Sequence, residues 1–228
     1  MTHTPIPAPL LRSVDTLRGP AGRIEALLNA GRPEAPFAAV VCHPHPLFGG
    51  TMHNKVVYHA MKALQAYGLP VLRFNFRGAG LSEGTHDNGH GERDDLRAAL
   101  DWLQQEYGRP ILFAGFSFGA SVGLRACCGD PRVKGIAALG LPVRAGGREY
   151  HYSFLAGCLQ PKLFISGTND EYGPQAEVEA TVATAAPPAE LVLVPGADHF
   201  FAGKLEPVQR ALSAWLEAHF LLVKVALR

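Results

Sequence analysis

The chain has 228 residues, 47% of them hydrophobic and 18% charged, a composition that fills a sizeable core and excludes intrinsic disorder. Twenty-one Lys and Arg stand against 20 Asp and Glu with no basic block, which leaves no electrostatic footprint for nucleic acid and no polybasic membrane patch. No apolar run approaches the roughly 20 residues that span a bilayer, and the opening MTHTPIPAPLLRSV has neither the basic nor the apolar part of a signal peptide.

Residues 1–9 read as a loose Pro-rich segment. Leu10–Leu17 and Arg23–Asn29 flank Gly19-Pro20-Ala21-Gly22 and read as a solvent-edged hairpin. The rhythm then changes. Phe37–Cys42 and Val71–Phe76 are continuous apolar runs, the pattern of strands buried on both faces. Met52–Tyr67, with Val56, Ala60, Ala63 and Leu64 on one side, reads as a helix stopped by Gly68. A second helix is expected over Glu92–Tyr107, with Glu92, Asp94 and Asp95 at its positive end.

The alternation continues with strands at Ile111–Gly115, Val133–Leu139, Lys162–Ser166 and Glu190–Val194, and with helices at Phe118–Cys128, Pro174–Ala185 and Leu205–Phe220. Strands alternating with helices imply right-handed crossovers and a mostly parallel sheet covered on both faces. The expected architecture is one α/β domain over 1–228, with about eight strands and the hairpin at one edge. The roughly 20 residues between Leu141 and Lys162 are enough for a loop or one short helix and too few for a lid domain.

Three placements carry chemistry. Gly115-Phe116-Ser117-Phe118-Gly119 is G-x-S-x-G between a buried strand and a helix, a sharp corner that presents a serine hydroxyl at the carboxyl edge of the sheet. A hydroxyl needs a base, and the base needs an orienting carboxylate. Lys162–Ser166 runs into Gly167-Thr168-Asn169-Asp170-Glu171, and Glu190–Val194 into Pro195-Gly196-Ala197-Asp198-His199-Phe200. Ser117, Asp170 and His199 thus occur in the order nucleophile, acid, base, each just past a strand. Glu171 is the rival acid. Asp198 is disfavoured because neighbouring side chains on an extended loop diverge.

His43-Pro44-His45-Pro46 has two readings. Paired imidazoles can bind a metal, but no further ligands follow at metal-site spacing, so no metal and no other cofactor are expected. The other reading makes this loop one side of an oxyanion hole. Pro44 and Pro46 have no N–H, which leaves His45 or Leu47 as donor beside the N–H of Phe118. Leu47, Phe48, Phe116 and Phe200 are the expected walls of an apolar acyl pocket. Arg73–Ser82, a glycine-rich turn, matches no nucleotide-binding pattern and reads as structural, with Arg77 and Ser82 as braces. His86, Asp87 and His90 read as a solvated loop and helix cap, and His53, Asn54 and Lys55 as the anchor of the first helix. Cys42, Cys127, Cys128 and Cys158 show no C-x-x-C spacing and read as reduced thiols of a cytoplasmic protein.

These stretches together resemble the α/β-hydrolase superfamily, and within it the small bacterial serine hydrolases without a cap domain. The resemblance is carried by HPHPLFGGTMHNK (43–55), RFNFRGAGLS (73–82), GFSFGA (115–120), GTND (167–170) and GADHFF (196–201). It implies a carboxylesterase-like hydrolase of uncertain natural substrate, and the familiar His-Gly form of the oxyanion loop points to His45. The expected reaction is hydrolysis of a small-molecule ester of short or medium acyl chain. A thioesterase, acyltransferase or small peptidase would use the same residues, and a ligand-binding scaffold without turnover is the non-enzymatic alternative. Neither nucleic acid nor membrane is an expected partner, and oligomeric state is not legible.

Overall fold

The computed structural model describes residues 11–225, so the segment 1–9 and Leu10 lie outside the described residues. Elements follow in chain order. β1 (Leu11–Ser13), β2 (Arg18–Gly19), β3 (Gly22–Arg23) and β4 (Ala26–Asn29) make up the first hairpin, and β5 (Ala38–Cys42) enters the core. Then come α1 (Lys55–Gln65), β6 (Val71–Phe74), α2 (His90–Tyr107), β7 (Ile111–Phe116), α3 (Phe118–Cys127) and β8 (Val133–Leu139). The last part holds β9 (Arg144–Ala145), β10 (Arg148–Glu149), β11 (Lys162–Gly167), α4 (Gln175–Ala183), β12 (Ala189–Val194) and α5 (Leu205–Phe220).

Eight strands form one sheet in the order β1-β4-β6-β5-β7-β8-β11-β12. The pairs β1/β4 and β4/β6 are antiparallel, and β6, β5, β7, β8, β11 and β12 run parallel. Hydropathy explains the parallel part. Ala38, Val40 and Cys42 of β5 pack into one core and Ala39 and Val41 into the other, so a strand buried on both faces has no polar position to spare. Residues of α2 and α3 cover the first face, and those of α1 and α5 the second. The hairpin is interrupted: β2 and β3 pair only through Arg18↔Arg23 and Gly19↔Gly22, around the Pro20-Ala21 turn.

Strand order reverses at β5. The chain places β6 on one side of it and β7 on the other, and open α/β sheets bind ligands in the crevice at such a switch point, beyond the carboxyl ends of the strands. The register sets what meets there. Cys42 pairs with Gly115, so the loop starting at His43 leaves beside the turn at Ser117. Gly167 pairs with Val194, so the loops carrying Asp170 and His199 leave the same edge side by side.

Residues 142–161 hold the β9–β10 hairpin and a 3₁₀ turn at Ser153–Gly157, in place of a plain loop or single helix. No lid domain occurs among the described residues. No described helix is long and apolar enough to cross a membrane.

The cysteines depart from the sequence reading. Cys128, at the end of α3, and Cys158, at the end of the 3₁₀ turn, form a disulfide with Cα atoms 5.1 Å apart, while Cys42 and Cys127 are free and buried. Cys127 belongs to the core on the α2/α3 side, and its neighbour Cys128 packs partly buried against the same core where the helix stops. No local spacing reveals a partner brought in by a loop 30 residues later. Disulfides persist in oxidising surroundings, so the cysteines do not argue for a reducing compartment.

Candidate active site

Ser117 sits between β7 and α3 at φ 55°, ψ −120°, a left-handed conformation that costs a non-glycine residue about 1–3 kcal/mol. The flanking glycines follow from crowding. A Cβ on Gly115 would stand 2.6 Å from the Gly119 carbonyl oxygen, and one on Gly119 would stand 2.5 Å from the His43 carbonyl oxygen. Both obstacles are backbone, so neither position admits a side chain without moving the serine turn or the adjoining loop.

The Ser117 Oγ lies 2.8 Å from Nε2 of His199, and Nδ1 of His199 lies 2.9 Å from Oδ2 and 3.0 Å from Oδ1 of Asp170. A carboxylate can only accept, so Nδ1 carries the imidazole proton and Nε2 is free to accept from the serine hydroxyl. Asp170 is held in turn by the N–H groups of Tyr172 and Gly173, at 2.9 and 3.0 Å from Oδ1. Asp170 and His199 are buried. The Tyr172 ring meets the imidazole edge-on at 4.7 Å between centroids, and Phe116 packs against it at 5.1 Å. Asp198 points elsewhere and accepts from the N–H of Ala202, which fits divergence of adjacent side chains.

The loop after β5 is organised by His43. Its Nε2 accepts from the N–H of Phe76 at 2.9 Å, so Nδ1 must carry the proton, which it donates to the Pro44 carbonyl at 2.6 Å. A trans peptide holds its C=O and N–H on opposite sides. Tethering the Pro44 oxygen therefore turns the His45 N–H away from the His43 ring. Leu47, the other candidate donor, has its N–H directed at the His45 Nδ1 at 3.3 Å inside the 3₁₀ turn Pro46–Phe48. That engagement distinguishes Leu47 from His45, whose N–H follows the tethered Pro44 carbonyl.

Burial lowers the His43 pKa from 6.5 to about 4, with the hydrogen bond to Pro44 opposing the shift. The sign follows from linkage. Unfolded His43 takes up a proton as pH falls through 6.5 and the folded residue does not, so stability present above 6.5 is lost as pH drops toward 4. The interval corresponds to about 3 kcal/mol. Urea unfolding followed from pH 7 to pH 4 is expected to show this decline, and a His43→Asn protein, less stable at the outset, a shallower one. Equal slopes would remove His43 as the cause.

A cavity of about 480 Å³ opens at the sheet edge and is lined by Ser117, His199, Leu47, Phe48 and Phe200 together with Tyr172. Phe116, expected as a fourth apolar wall, is instead fully buried behind the imidazole, because it is the last residue of β7 and points to the α1/α5 core. Residues that the sequence reading passed over complete the rim: Asn88, Gly146, Arg148 and Tyr150. The last three belong to the β9–β10 region, whose two-residue strands carry no hydropathy period.

His86 also departs from expectation. Its ring lies tilted against His45 and Phe118 at 4.6 and 5.4 Å, and its Nδ1 lies 2.7 Å from the buried carboxylate of Glu92. Glu92 is a first-turn acid, as expected, and is fully buried. It accepts from the N–H groups of Asp87 and Gly89 and closes the start of α2, which begins two residues earlier than the acidic run suggested. The expected braces are in place: Arg77 pairs with Asp95 at 2.7 Å, and the Ser82 hydroxyl donates to the Asn75 carbonyl at 2.6 Å. Asn54 caps α1 through the N–H of Val56 at 2.9 Å. Among the described residues no group of three or more His, Cys, Asp or Glu is placed to hold a metal.

A mostly parallel sheet with a strained serine at the turn after its central strand, no lid among the described residues, and an imidazole–carboxylate pair on two later loops is the architecture of the α/β-hydrolase class. The chain belongs to the α/β hydrolase domain family, whose model matches residues 40–215. It is 41% identical over 206 residues to an uncharacterized protein of Rickettsia prowazekii, covering 87% of this chain and 86% of that one. Among solved structures it is similar to an α/β serine hydrolase homologue from Coxiella burnetii, with TM-score 0.81 and 36% identity over 92% of this chain and 99% of that one. It is also similar to an α/β serine hydrolase without lid from Xanthomonas campestris, with TM-score 0.80 and 33% identity over 98% and 100% of the two chains.

Proposed function

We propose that the protein is a serine hydrolase of carboxylic esters. The observation that carries this reading is the continuous hydrogen-bonded line from Ser117 through His199 to Asp170 at the floor of the cavity. In the proposed reaction His199 takes the Ser117 proton at Nε2 as Oγ attacks the ester carbonyl. Asp170 holds the imidazole by its Nδ1 proton and stabilises the imidazolium. The N–H groups of Phe118 and His45 receive the developing oxyanion, each such donor being worth about 10²–10³-fold in comparable sites. The imidazolium then gives its proton to the leaving alcohol, and a water activated by Nε2 releases the acid from the acyl-serine.

The cavity favours short or medium acyl groups. It is shallow enough for Leu47, Phe48 and Phe200 to remain exposed at its rim, and no lid encloses a long chain. A fluorophosphonate probe is expected to label the protein, and a series of p-nitrophenyl esters to peak below about eight acyl carbons. An unlabelled folded protein would remove the reading, and a peak at about twelve carbons or more would remove the chain-length part of it. Other acyl compounds, thioesters and activated amides included, meet the same residues. The carboxylic ester is preferred to an amide because an alcohol leaves with less assistance than an amine from a site with a single base.

A further inference from the structure

Next to the cavity that holds Ser117 lies a second one of about 300 Å³. Asn88, Phe118, Arg148 and Tyr150 line both, so the two are neighbours across the Phe118 ring. The floor of the second cavity is one face of α3: Phe118, Ser121, Val122 and Arg125 stand at i, i+3, i+4 and i+7. At 1.5 Å rise per residue this floor runs from beside the serine to about 12 Å along the helix.

Its walls carry three guanidinium groups from three separate elements, Arg93 of α2, Arg125 of α3 and Arg148 of β10. None of the three pairs with a carboxylate among the described residues, although seven arginines elsewhere in the chain do. They are positioned by other means. Arg93 donates to the Gly89 carbonyl at 3.2 Å and to Nδ1 of His90 at 2.9 Å. Arg125 donates to the His151 carbonyl and lies over the Phe154 ring at 4.7 Å, and Arg148 lies over the Tyr150 ring at 5.9 Å. These contacts hold the planes in place and leave most of the five N–H donors of each group free. One carboxylate, Glu149, also lines the cavity, so the walls carry a formal charge of +2 with His90 and His151 neutral (three minus one). Three cations held around one concavity repel one another, and an anion between them removes that cost.

We infer that this second cavity is a specificity subsite for an anionic group of the substrate, a carboxylate or phosphate, carried several bonds from the scissile carbonyl. The substrate class then narrows from esters in general to esters with a charged end, with the acyl-transfer centre in one cavity and the charge in the other. The inference rests on the ester-hydrolase reading for the position of the carbonyl. Phe118 has two parts in it: its N–H faces the developing oxyanion, and its ring forms the ridge the substrate must cross.

The test measures binding with turnover removed. The Ser117→Ala protein is titrated calorimetrically with monomethyl glutarate, with 2-(butanoyloxy)ethyl phosphate, and with neutral dimethyl glutarate. At least one of the two anionic esters is expected to bind about tenfold or more tightly than the neutral one, and which of them does so separates carboxylate from phosphate. That advantage is expected to vanish when Arg125→Gln and Arg148→Gln are added. It is also expected to shrink several-fold between about 20 and 500 mM NaCl, a measurement that needs no further variant to fold. Equal affinity for all three esters, an advantage kept by the glutamine variants, or one indifferent to salt would overturn the subsite. Hydrolysis of neutral esters by the unmodified protein is scored separately. Turnover without an anionic advantage would leave the ester-hydrolase reading standing and this one refuted, and an anionic advantage without turnover of any of the three esters would refute the ester-hydrolase reading and leave only anion binding at the second cavity.

Discussion

Replacing Ser117 with alanine is expected to lower kcat/KM for a p-nitrophenyl ester by about 10⁴–10⁶-fold while leaving the fold intact. The size follows from what the hydroxyl does in the proposed reaction. Without it there is no acyl-serine, and His199 can at best direct water at the carbonyl from Nε2, which now faces a methyl group. What survives is the part of catalysis owed to the Phe118 and His45 donors and to the cavity. Stability moves little, because alanine has the same Cβ at φ 55° as serine and loses only one hydrogen bond to a side chain. Ser117→Gly separates the two roles. It should be as inactive as alanine yet more stable by about 1 kcal/mol, because glycine carries no penalty in this backbone region. Steady-state kinetics paired with urea unfolding reads both quantities. A Ser117→Ala protein within tenfold of the parent would place the chemistry on another group.

The same strain explains why this part of the site is legible in the sequence. A serine held at positive φ between a buried strand and a helix needs glycines where Cβ atoms would strike backbone, and those requirements are local, so they appear as residues at fixed spacing. Asp170 and His199 were legible for a related reason. Each follows a continuous apolar run by a few residues, and in a parallel sheet every such run ends at the same edge. The helices were least certain at their starts. Met52 was expected to open α1, but it lies in the turn before it, where its N–H donates to the Asn75 side chain at 2.8 Å, and Asn54 sets the true boundary.

Features made by contacts distant in sequence were not legible. The Cys128–Cys158 disulfide depends on where residues 142–161 return to the end of α3, and that stretch has no hydropathy period; its one turn signal, Gly146-Gly147, fixes only the local β9–β10 hairpin. Arg148 and Tyr150, which line both cavities, belong to the same stretch. His86 reads as solvated because its neighbours are Gly, Thr, Asp and Asn, yet its ring lies inward against His45, Phe118 and the Glu92 carboxylate. Phe116 failed in a different way: proximity to the serine in sequence suggested the pocket, whereas alternation along β7 sends it to the opposite core. Between His45 and Leu47 the residues offered no choice beyond the family pattern. The hydrogen bond from Leu47 to the His45 ring supports the proposed His45 donor.

Asp170→Asn is expected to reduce kcat/KM by about 10⁴-fold, and the reason is the direction of one hydrogen bond. Asp170 accepts on Oδ1 from Tyr172 and Gly173, and asparagine can keep those two bonds only by placing its carbonyl oxygen at Oδ1. The amide nitrogen then occupies the Oδ2 position, 2.9 Å from Nδ1 of His199 in the native arrangement, and presents a donor to it. Nδ1 must become the acceptor, the imidazole proton moves to Nε2, and the atom facing Ser117 can no longer take the hydroxyl proton. Geometry is preserved and the tautomer is wrong. Nitrogen-15 NMR of the imidazole is expected to report the proton on Nε2 in the variant and on Nδ1 in the parent, with little change in the rest of the spectrum. Asp170→Ala provides the contrast. It imposes no donor on Nδ1, but it leaves the Tyr172 and Gly173 N–H groups without their acceptor and should therefore cost stability as well as rate. An asparagine variant that keeps near-native activity with the imidazole proton still on Nδ1 would show that another group orients His199. Glu171, one residue along the same loop, would then be the first substitution to make.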